Sequence, residues 1–170
     1  TPAGQELRLR QEYFFTSASL QDLLRRHISQ YGNLLNLAEK AAIQLNDTHP
    51  AIAIAELMRL LVDEHHIGWE KAWEITRATT AYTNHTLLPE ALESWPVHLI
   101  ERLLPRHMQI VYAINAGIIA DAHKKGMIDF GFLEAISLID ENNGRRLRMG
   151  QLAFAGTHSI NGVSALHSGL

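Results

Sequence analysis

The amino-acid sequence predicts an α/β fold that is rich in helix and has a few short, mostly parallel strands. Two observations support this prediction. Several long stretches carry apolar residues at helical spacing, and three short apolar runs have the length of buried strands. The chain of 170 residues suits one domain, which we take to span residues 1–170.

The helical stretches are the clearest elements. Residues 6–31 are predicted to form one long helix, which ends at Gly32 because glycine tolerates the left-handed conformation of a C-cap. Further helices are predicted to begin at Pro50, Trp69, Pro89, Val97 and Pro105. Residues 130–139 fit either a helix or a strand, and residues 160–170 are predicted to be helical.

The three apolar runs at residues 41–45, 79–83 and 152–155 are interpreted as strands. A turn is predicted at residues 142–144, after which residues 145–149 are expected to pair in a hairpin. Each of the three strands is followed by a polar corner that contains a histidine. These corners are Asp47-Thr48-His49, Asn84-His85-Thr86 and Thr157-His158-Ser159.

Parallel strands bring their carboxyl ends to one edge of a sheet, where ligands bind. We therefore expect the three corners to meet in one cleft. Amide, imidazole and hydroxyl groups match the hydroxyls of a sugar, which both donate and accept hydrogen bonds. Each corner also has a structural explanation. Thr48 is expected to cap the next helix, Glu90 to complement a helix dipole with Glu93 on the same face, and Thr157 or Ser159 to cap the last helix.

Composition narrows the function classes. The net charge of −3 argues against a nucleic-acid surface, and the absence of cysteine excludes disulfides and thiolate metal sites. No apolar stretch of about 20 residues is present, so no membrane-spanning segment is expected. The arginines at 145, 146 and 148 fit either an anion site or, more simply, a solvated face.

Longer motifs in the sequence resemble the glycogen/maltodextrin phosphorylases. The resemblance covers about residues 7–170. It rests on LRLRQEYF at residues 7–14, QLNDTHPA at 44–51, AYTNHTLLPEALE at 81–93, LLPRH at 103–107 and HSINGV at 158–163. These motifs identify the chain as the latter part of an N-terminal domain of Rossmann-like type.

The resemblance implies a cytoplasmic, homodimeric glycosyltransferase, roughly five times as long as this chain. Such an enzyme uses orthophosphate to cleave a terminal α-1,4-glucosidic bond and releases glucose 1-phosphate. Its pyridoxal phosphate is held by a lysine in the C-terminal domain, outside this segment. The expected partners are an α-1,4-glucan, phosphate and that C-terminal domain, with no nucleic acid and no membrane.

The resemblance also implies site residues. His85 is expected to contact the glucosyl unit at the cleavage site, as the catalytic residue of this segment. Substrate-binding residues implied in the same way are Asp47, His49, Thr86, Glu93, Asn161 and Val163. The isolated chain is expected to be inactive and to self-associate, because it lacks the cofactor domain.

Two other functions are compatible with the residues. One is a free-standing, non-catalytic module that binds glucan through the same corners. The other is a small metal hydrolase with Asp47, His49 and His85 as zinc ligands. The motifs leave open whether glycogen or maltodextrin is preferred.

Overall fold

The computed structural model describes residues 1–86, 92–142 and 144–163. The helices in these ranges are α1 Pro2–Tyr31, α2 Leu37–Lys40, α3 Ala53–Arg59, α4 Trp69–Thr79, α5 Val97–Leu103, α6 Pro105–Lys124, α7 Phe130–Ile136 and α8 Met149–Gly156. The strands are β1 Ile43–Asn46, β2 Thr80–Asn84, β3 Ser94–Pro96, β4 Ile139–Asp140, β5 Arg146–Arg148 and β6 Ser159–Gly162. A π-helical turn, Leu60–Glu64, continues α3. None of the described helices has the length and hydropathy needed to cross a membrane.

A three-stranded parallel sheet with the order β1-β2-β6 organises the fold. In its register, Asn46 of β1 lies beside Thr83 of β2, and Thr83 lies beside Asn161 of β6. Helices α3 and α4 connect β1 to β2, as in other parallel sheets. The predicted α/β class is confirmed, and the carboxyl ends of all three strands lie along one edge.

Helix α1 is the single long helix that the sequence predicts. Leu20 and Leu24 are buried along its apolar face. Gly32 ends it in the left-handed region, at φ 78°, and donates its N–H to the Ile28 carbonyl at 2.8 Å. Without a Cβ, glycine adopts this φ at no steric cost.

Residues 152–155, which were interpreted as a strand, lie inside α8. Nearly all residues of α8 are apolar, so its sequence carries no period that separates helix from strand. Leu152 and Ala153 are fully buried. A Cβ at Gly156 would lie 2.5 Å from Ile54 Cγ2, so the bare glycine lets α8 pack closely against α3.

The third parallel strand is β6 instead. Its sequence, Ser-Ile-Asn-Gly, is polar and mostly exposed, which explains why no strand pattern is visible. The helix predicted over residues 160–170 is therefore wrong where it overlaps β6. Residues 164–170 lie outside the described part of the chain.

A second, antiparallel sheet has the order β3-β5-β4. The predicted hairpin is confirmed, because Ile139 of β4 pairs with Leu147 of β5 and Gly144 turns the chain at φ 76°. Strand β3 was not predicted. The helix expected to begin at Pro89 falls on residues 87–91, which are outside the described ranges.

The three arginines of this region hold the small sheet in place. Arg145 pairs with Glu141 at 2.8 Å, and Arg146 donates to the Ser94 hydroxyl at 2.8 Å. Arg148 donates to the backbone carbonyl of Ser137, just after α7. Arg145 is exposed, which agrees with the expected solvated face, whereas Arg146 and Arg148 are partly buried and bond within the protein.

Four polar side chains form a buried cluster between α1, α3 and α6: Ser17, Glu56, Arg59 and His107. Glu56 is 0% exposed, and its carboxylate accepts from Ser17 Oγ at 2.8 Å and from Arg59 Nη2 at 2.7 Å. His107 Nε2 contacts the same carboxylate. Burial opposes ionisation of Glu56, but the hydrogen bonds from Arg59, His107 and Ser17 outweigh it and lower the pKa to about 2.

Candidate functional site

The first corner follows β1 directly. Asp47 adopts a left-handed φ of 62°, which short polar side chains tolerate better than most. Its N–H donates to the Thr83 carbonyl at 2.9 Å, and its carboxylate accepts the Thr48 N–H at 2.8 Å. These bonds fix the corner against β2 and leave His49 exposed beside it.

Thr48 does not cap a helix as predicted. The chain passes through hydrogen-bonded turns, in which Ala51 N–H donates to the Thr48 carbonyl at 3.0 Å, before α3 begins at Ala53. The N-cap is Ile52, which makes no side-chain capping bond. The helix therefore begins three residues after Pro50, because the corner needs those residues to turn.

The second corner follows β2 and lies beside the first. Thr86 N–H donates to Asn84 Oδ1 at 3.0 Å, the pattern of an Asx turn. His85 Nε2 lies 3.4 Å from Asn46 Oδ1, at the end of β1. The structure thus brings the Asp47 corner and the His85 corner together at the carboxyl edge, as predicted.

A polar ladder crosses the sheet close to that edge, formed by Gln44, Thr83 and Asn161. Gln44 Nε2 donates to Thr83 Oγ1 at 2.8 Å, and Thr83 Oγ1 donates to Asn161 Oδ1 at 2.8 Å. The ladder links β1, β2 and β6, and it places Asn161 on the same edge as His85. Val163 follows β6 and is exposed.

His158 lies at the opposite edge of the sheet. Its N–H donates to the Thr80 carbonyl at 3.1 Å, and its Nδ1 lies 3.1 Å from the Arg77 carbonyl, both at the amino end of β2. Thr157 is buried and donates to the Ala153 carbonyl at 2.8 Å. The expectation that three histidines share one rim is wrong, because the third corner precedes its strand instead of following it.

An edge cluster of charged groups surrounds His49 and consists of Arg8, Glu12, His49 and Glu93. His49 Nδ1 lies 3.6 Å from Glu12 Oε1 and 3.7 Å from Glu93 Oε2. Arg8 Nε donates to Glu12 Oε1 at 3.2 Å, and Arg8 Nη2 contacts Glu93. Helix α1 thus supplies two groups to a site whose other members come from the corner after β1 and the segment before β3.

The two carboxyl groups of the edge cluster are buried close together, and this alters the pKa of Glu12. The Glu93 side chain is 6% exposed, and its Oε1 is buried without a hydrogen-bond partner among the described residues. Burial, with the neighbouring charge of Glu93 and a hydrogen bond to it, raises the pKa of Glu12 to about 8. Glu12 therefore keeps its proton at neutral pH, while Arg8 contacts both carboxyl groups.

A cavity of about 440 Å³ opens beside this cluster, with Arg8 and Glu93 in its wall. Trp95 also lines the cavity, and its Nε1 is buried with no hydrogen-bond partner in the described part of the chain. The Arg8 guanidinium lies 5.7 Å from the Trp95 ring centroid, within cation–π distance. The cavity therefore combines fixed charge with an aromatic wall.

On β2, the Tyr82 hydroxyl is buried and likewise has no hydrogen-bond partner within the described ranges. Burial, helped by the charge of Asp47, raises the pKa of Tyr82 to about 12. Tyr82 is therefore neutral at ordinary pH and does not compete with Asp47 as an anion.

The zinc set considered from the sequence does not assemble. In the described ranges the group with metal-ligand geometry is Glu12, His49 and Glu93, whose ligand atoms lie within 4.8 Å of one another. Asp47 and His85 do not belong to it. Arg8 contacts both carboxylates of this group and already supplies the positive charge that a cation would bring.

The residues of this segment do not fit a pyridoxal phosphate Schiff base, which needs a lysine at the site. The chain has four lysines, at positions 40, 71, 124 and 125. Lys40 ends α2, Lys71 pairs with Glu74 at 2.9 Å in α4, and the other two lie at the end of α6. None of these positions is at the carboxyl edge of the parallel sheet.

Sequence reasoning missed several members of the site: Arg8, Glu12, Gln44, Asn46 and Thr83. A visible signal existed for two of them, since Gln44 and Asn46 are polar residues alternating with apolar ones in β1. Arg8 and Glu12 are one helical turn apart on α1, which marks a pair but not its partner across the fold.

Chemically, the carboxyl edge offers amide, imidazole, hydroxyl and carboxylate groups within a short distance of one another. Such groups donate to and accept from the hydroxyls of a polar, uncharged ligand. The edge cluster adds an arginine and a carboxyl pair at one side, so part of the ligand would meet a preorganised charge.

Comparisons with known proteins match this chain along its whole length. A family model described as carbohydrate phosphorylase matches residues 1–170. Glycogen phosphorylases of Synechocystis sp. and Haemophilus influenzae are 54% and 53% identical over 167 residues, and in each case the match covers 98% of this chain and 20% of the relative. The muscle form of glycogen phosphorylase from Ovis aries is 52% identical over 173 residues, covering 97% and 20%. The chain thus spans about a fifth of the length of these relatives.

Proposed function

The chain belongs to the carbohydrate phosphorylase family, and we propose that it is the latter part of the N-terminal domain of an α-glucan phosphorylase. The resemblance noted in its motifs is confirmed by the relatives. The proposed reaction is the cleavage of a terminal α-1,4-glucosidic bond by orthophosphate, with release of glucose 1-phosphate.

One observation carries this proposal: the motifs of the resemblance that are far apart in sequence meet at one edge of the parallel sheet. His85 lies beside Asn46, the ladder ties Asn161 to the same edge, and the Asp47 N–H bonds to β2. Ligands bind at this edge in open α/β sheets. A sugar with several hydroxyls fits the mixture of donors and acceptors found there.

The proposed roles are those that the resemblance to the family implies, and the positions of the Asp47 and His85 corners at one edge support them. His85 contacts the glucosyl unit at the cleavage site, while Asp47 and His49 line the pocket on the anomeric side of the sugar. The remaining groups proposed to bind or support the substrate are Thr86, Glu93, Asn161 and Val163.

The proposal includes components outside this segment. Pyridoxal phosphate, held by a lysine in a C-terminal domain, would supply acid–base chemistry to the substrate phosphate. The complete enzyme is proposed to be a cytoplasmic homodimer. Because none of the four lysines of the segment lies at the carboxyl edge to hold the cofactor, the isolated segment is proposed to be inactive.

The first test compares the isolated 170-residue chain with the complete protein that carries it. Glucose 1-phosphate formation from maltodextrin and phosphate is expected for the complete protein only. Turnover by the isolated chain would contradict the proposed inactivity. If the native protein has only the length of this chain and binds maltodextrin without turnover, a free-standing binding module is the better description.

The second test uses two histidines of the complete protein that lie at opposite edges of the sheet. His85→Asn is expected to lower kcat/KM by about tenfold or more, since one neutral hydrogen bond contributes roughly 1 kcal/mol and more in a desolvated site. His158→Asn is the matched control and is expected to leave kcat/KM within about twofold. Equal losses in both variants would remove the sugar site from the carboxyl edge.

A further inference from the structure

His49 is held by groups that come from distant parts of the chain. Its Nδ1 lies within ion-pair distance of one oxygen of Glu12 and one of Glu93, at 3.6 and 3.7 Å. Its other nitrogen, Nε2, has no hydrogen-bond partner among the described residues. The side chain is 61% exposed. Nδ1 therefore lies beside the two carboxyl groups, while the rest of the ring is open to solvent.

This orientation selects a tautomer. A nitrogen lone pair directed at carboxylate oxygens is repelled, whereas an N–H directed at them is attracted, so Nδ1 carries the proton in the neutral ring. Nε2 is then an acceptor. A second group that fixes the tautomer of a functional histidine in this way is a recurring device in metal and catalytic sites.

Resting on the function proposed above, we propose that Arg8, Glu12 and Glu93 are positioning residues that hold His49 with Nε2 as the acceptor for a sugar hydroxyl. Arg8 donates to both carboxyl groups and keeps them in place. Glu12 and Glu93 in turn fix the ring of His49. Helix α1 thereby acts on the sugar site without touching the sugar.

The proton of Glu12 has a specific place in this arrangement. The groups that face Glu12 are Arg8 on α1, Glu93 before β3 and His49 after β1. With Glu12 neutral, its O–H can donate to Glu93 while its other oxygen faces the Nδ1–H of His49. With Glu12 ionised, two adjacent carboxylates repel each other and the geometry around His49 is lost.

A double-mutant cycle in the complete protein tests the positioning role. Glu12→Ala is expected to lower kcat/KM for phosphorolysis by about tenfold in the wild-type background, mainly through KM, because orientation of a binding group is lost. In a His49→Ala background the same change is expected to cost less than about twofold. Residues that act through one another show such coupling, whereas independent ones are additive.

Two further variants make the cycle decisive. Glu12→Gln keeps a donor and an acceptor in the shape of the neutral acid, so it is expected to restore most of the loss at pH 7. Glu6→Ala is the matched control on the same helix, since Glu6 pairs with Arg10 at 2.8 Å and with Arg102 at 2.6 Å and has no contact with the edge cluster among the described residues. It is expected to show no coupling to His49.

Additive losses for Glu12→Ala and His49→Ala would overturn the proposal, as would a failure of Glu12→Gln to restore KM. A thermal midpoint measured for every variant separates these results from simple unfolding. The pH profile gives an independent check: the wild-type protein is expected to lose affinity for glucan as the pH rises through about 8, where Glu12 ionises. Glu12→Gln is expected to lack that step.

The tautomer of His49 can be measured without activity. In protein labelled with ¹⁵N-histidine, the ring signals of His49 are assigned by difference from His49→Ala. The wild-type protein is expected to show the Nδ1–H tautomer, and Glu12→Ala a mixture of both. The opposite tautomer in the wild-type protein would overturn the positioning role. A complete protein that lacks phosphorolysis but shows the Nδ1–H tautomer would instead contradict only the proposed reaction.

Discussion

Two clusters in this molecule both combine glutamate, arginine and histidine, but the pKa of a glutamate is lowered in one and raised in the other. The buried cluster sets one carboxylate, Glu56, against Arg59, His107 and a hydroxyl. The edge cluster sets two carboxyl groups against Arg8 and His49. In the first, hydrogen bonds from Arg59, His107 and Ser17 outweigh burial and lower the pKa of Glu56 to about 2. In the second, burial and the neighbouring charge of Glu93 outweigh Arg8 and raise the pKa of Glu12 to about 8.

The difference shows which cluster suits a structural role and which suits a functional one. Every oxygen of Glu56 is satisfied inside the protein, so nothing is left to bind a ligand. The edge cluster retains a buried oxygen of Glu93 that has no partner in the residues that the structure describes, and a histidine that is mostly exposed. Unsatisfied polar groups and a perturbed pKa beside a cleft are typical of functional sites.

Removing the carboxylate of the buried cluster is expected to have the largest effect. Glu56→Ala leaves Arg59 and His107 without their common partner, and breaking a buried ion pair in this way costs about 3–5 kcal/mol. The free energy of unfolding, measured by urea titration, checks this value.

The control for this variant is Glu64→Ala. Glu64 also pairs with Arg59, at 3.0 Å, but its side chain is exposed. A solvent-exposed ion pair contributes less than about 1 kcal/mol. Similar losses for the two variants would mean that burial does not distinguish the clusters as we describe.

A steric change tests packing beside the buried cluster without altering its charges. Gly156→Ala would place a Cβ at 2.5–2.7 Å from three atoms of Ile54, which lies two residues before Glu56 on α3. Because Ile54 is fully buried and cannot move aside, the expected cost is about 1–3 kcal/mol of unfolding free energy.

The matched control is Gly150→Ala, six residues earlier in α8. The nearest side-chain atoms to a Cβ there are Leu92 Cδ2 at 3.9 Å and Thr48 Cγ2 at 4.0 Å, which is ordinary contact. Alanine favours helix over glycine by about 1 kcal/mol, so this variant is expected to be neutral or slightly more stable. Destabilisation of both variants alike would refute close packing at Gly156 as the cause.

Much of the fold was predictable because the helical spacing of apolar residues continues over several turns. Helices α1 and α6 and the run Ile54, Leu57, Met58 and Leu61 follow helical spacing over several turns, and β2 is β-branched and aromatic. Helix α8 and strand β6 were not predictable from local pattern. The helix is apolar on all sides, and the strand is polar because it lies at the edge of the sheet; tertiary packing decides both.

The candidate site was predictable in part for a related reason. The corners at Asp47 and His85 follow strands that the sequence identifies, so their meeting could be inferred from topology alone. Because residues 152–155 were predicted as the third strand in place of β6, His158 was expected at the carboxyl edge, whereas it precedes β6 at the opposite edge. Arg8 and Glu12 could not be placed by periodicity, because nothing in a helix sequence says which distant corner packs against it.

The pH dependence of the free energy of unfolding gives the smallest difference between the two clusters, because Glu56 and Glu12 affect stability in different pH ranges. The ordinary pKa of both glutamates is 4.5, and in the folded protein that of Glu56 is lowered to about 2 and that of Glu12 raised to about 8. Between pH 2 and 4.5 the unfolded chain binds the extra proton at Glu56, so stability rises with pH. Between pH 4.5 and 8 the folded protein binds the extra proton at Glu12, so this group makes stability fall.

Each glutamate is expected to contribute a slope of up to about 1.4 kcal/mol per pH unit within its window. Urea unfolding of the wild-type protein and of Glu12→Gln, measured from pH 3 to 9, isolates the second window. Their difference removes the contribution of nine of the ten histidines; the tenth, His49, contacts Glu12, so the same comparison is repeated in a His49→Ala background. The variant is expected to lack the decline between pH 4.5 and 8 and to keep the acid limb, because Glu56 is untouched. An unchanged decline would mean that Glu12 is ionised in the folded protein, and the contrast between a satisfied and an unsatisfied cluster would then lose its electrostatic basis.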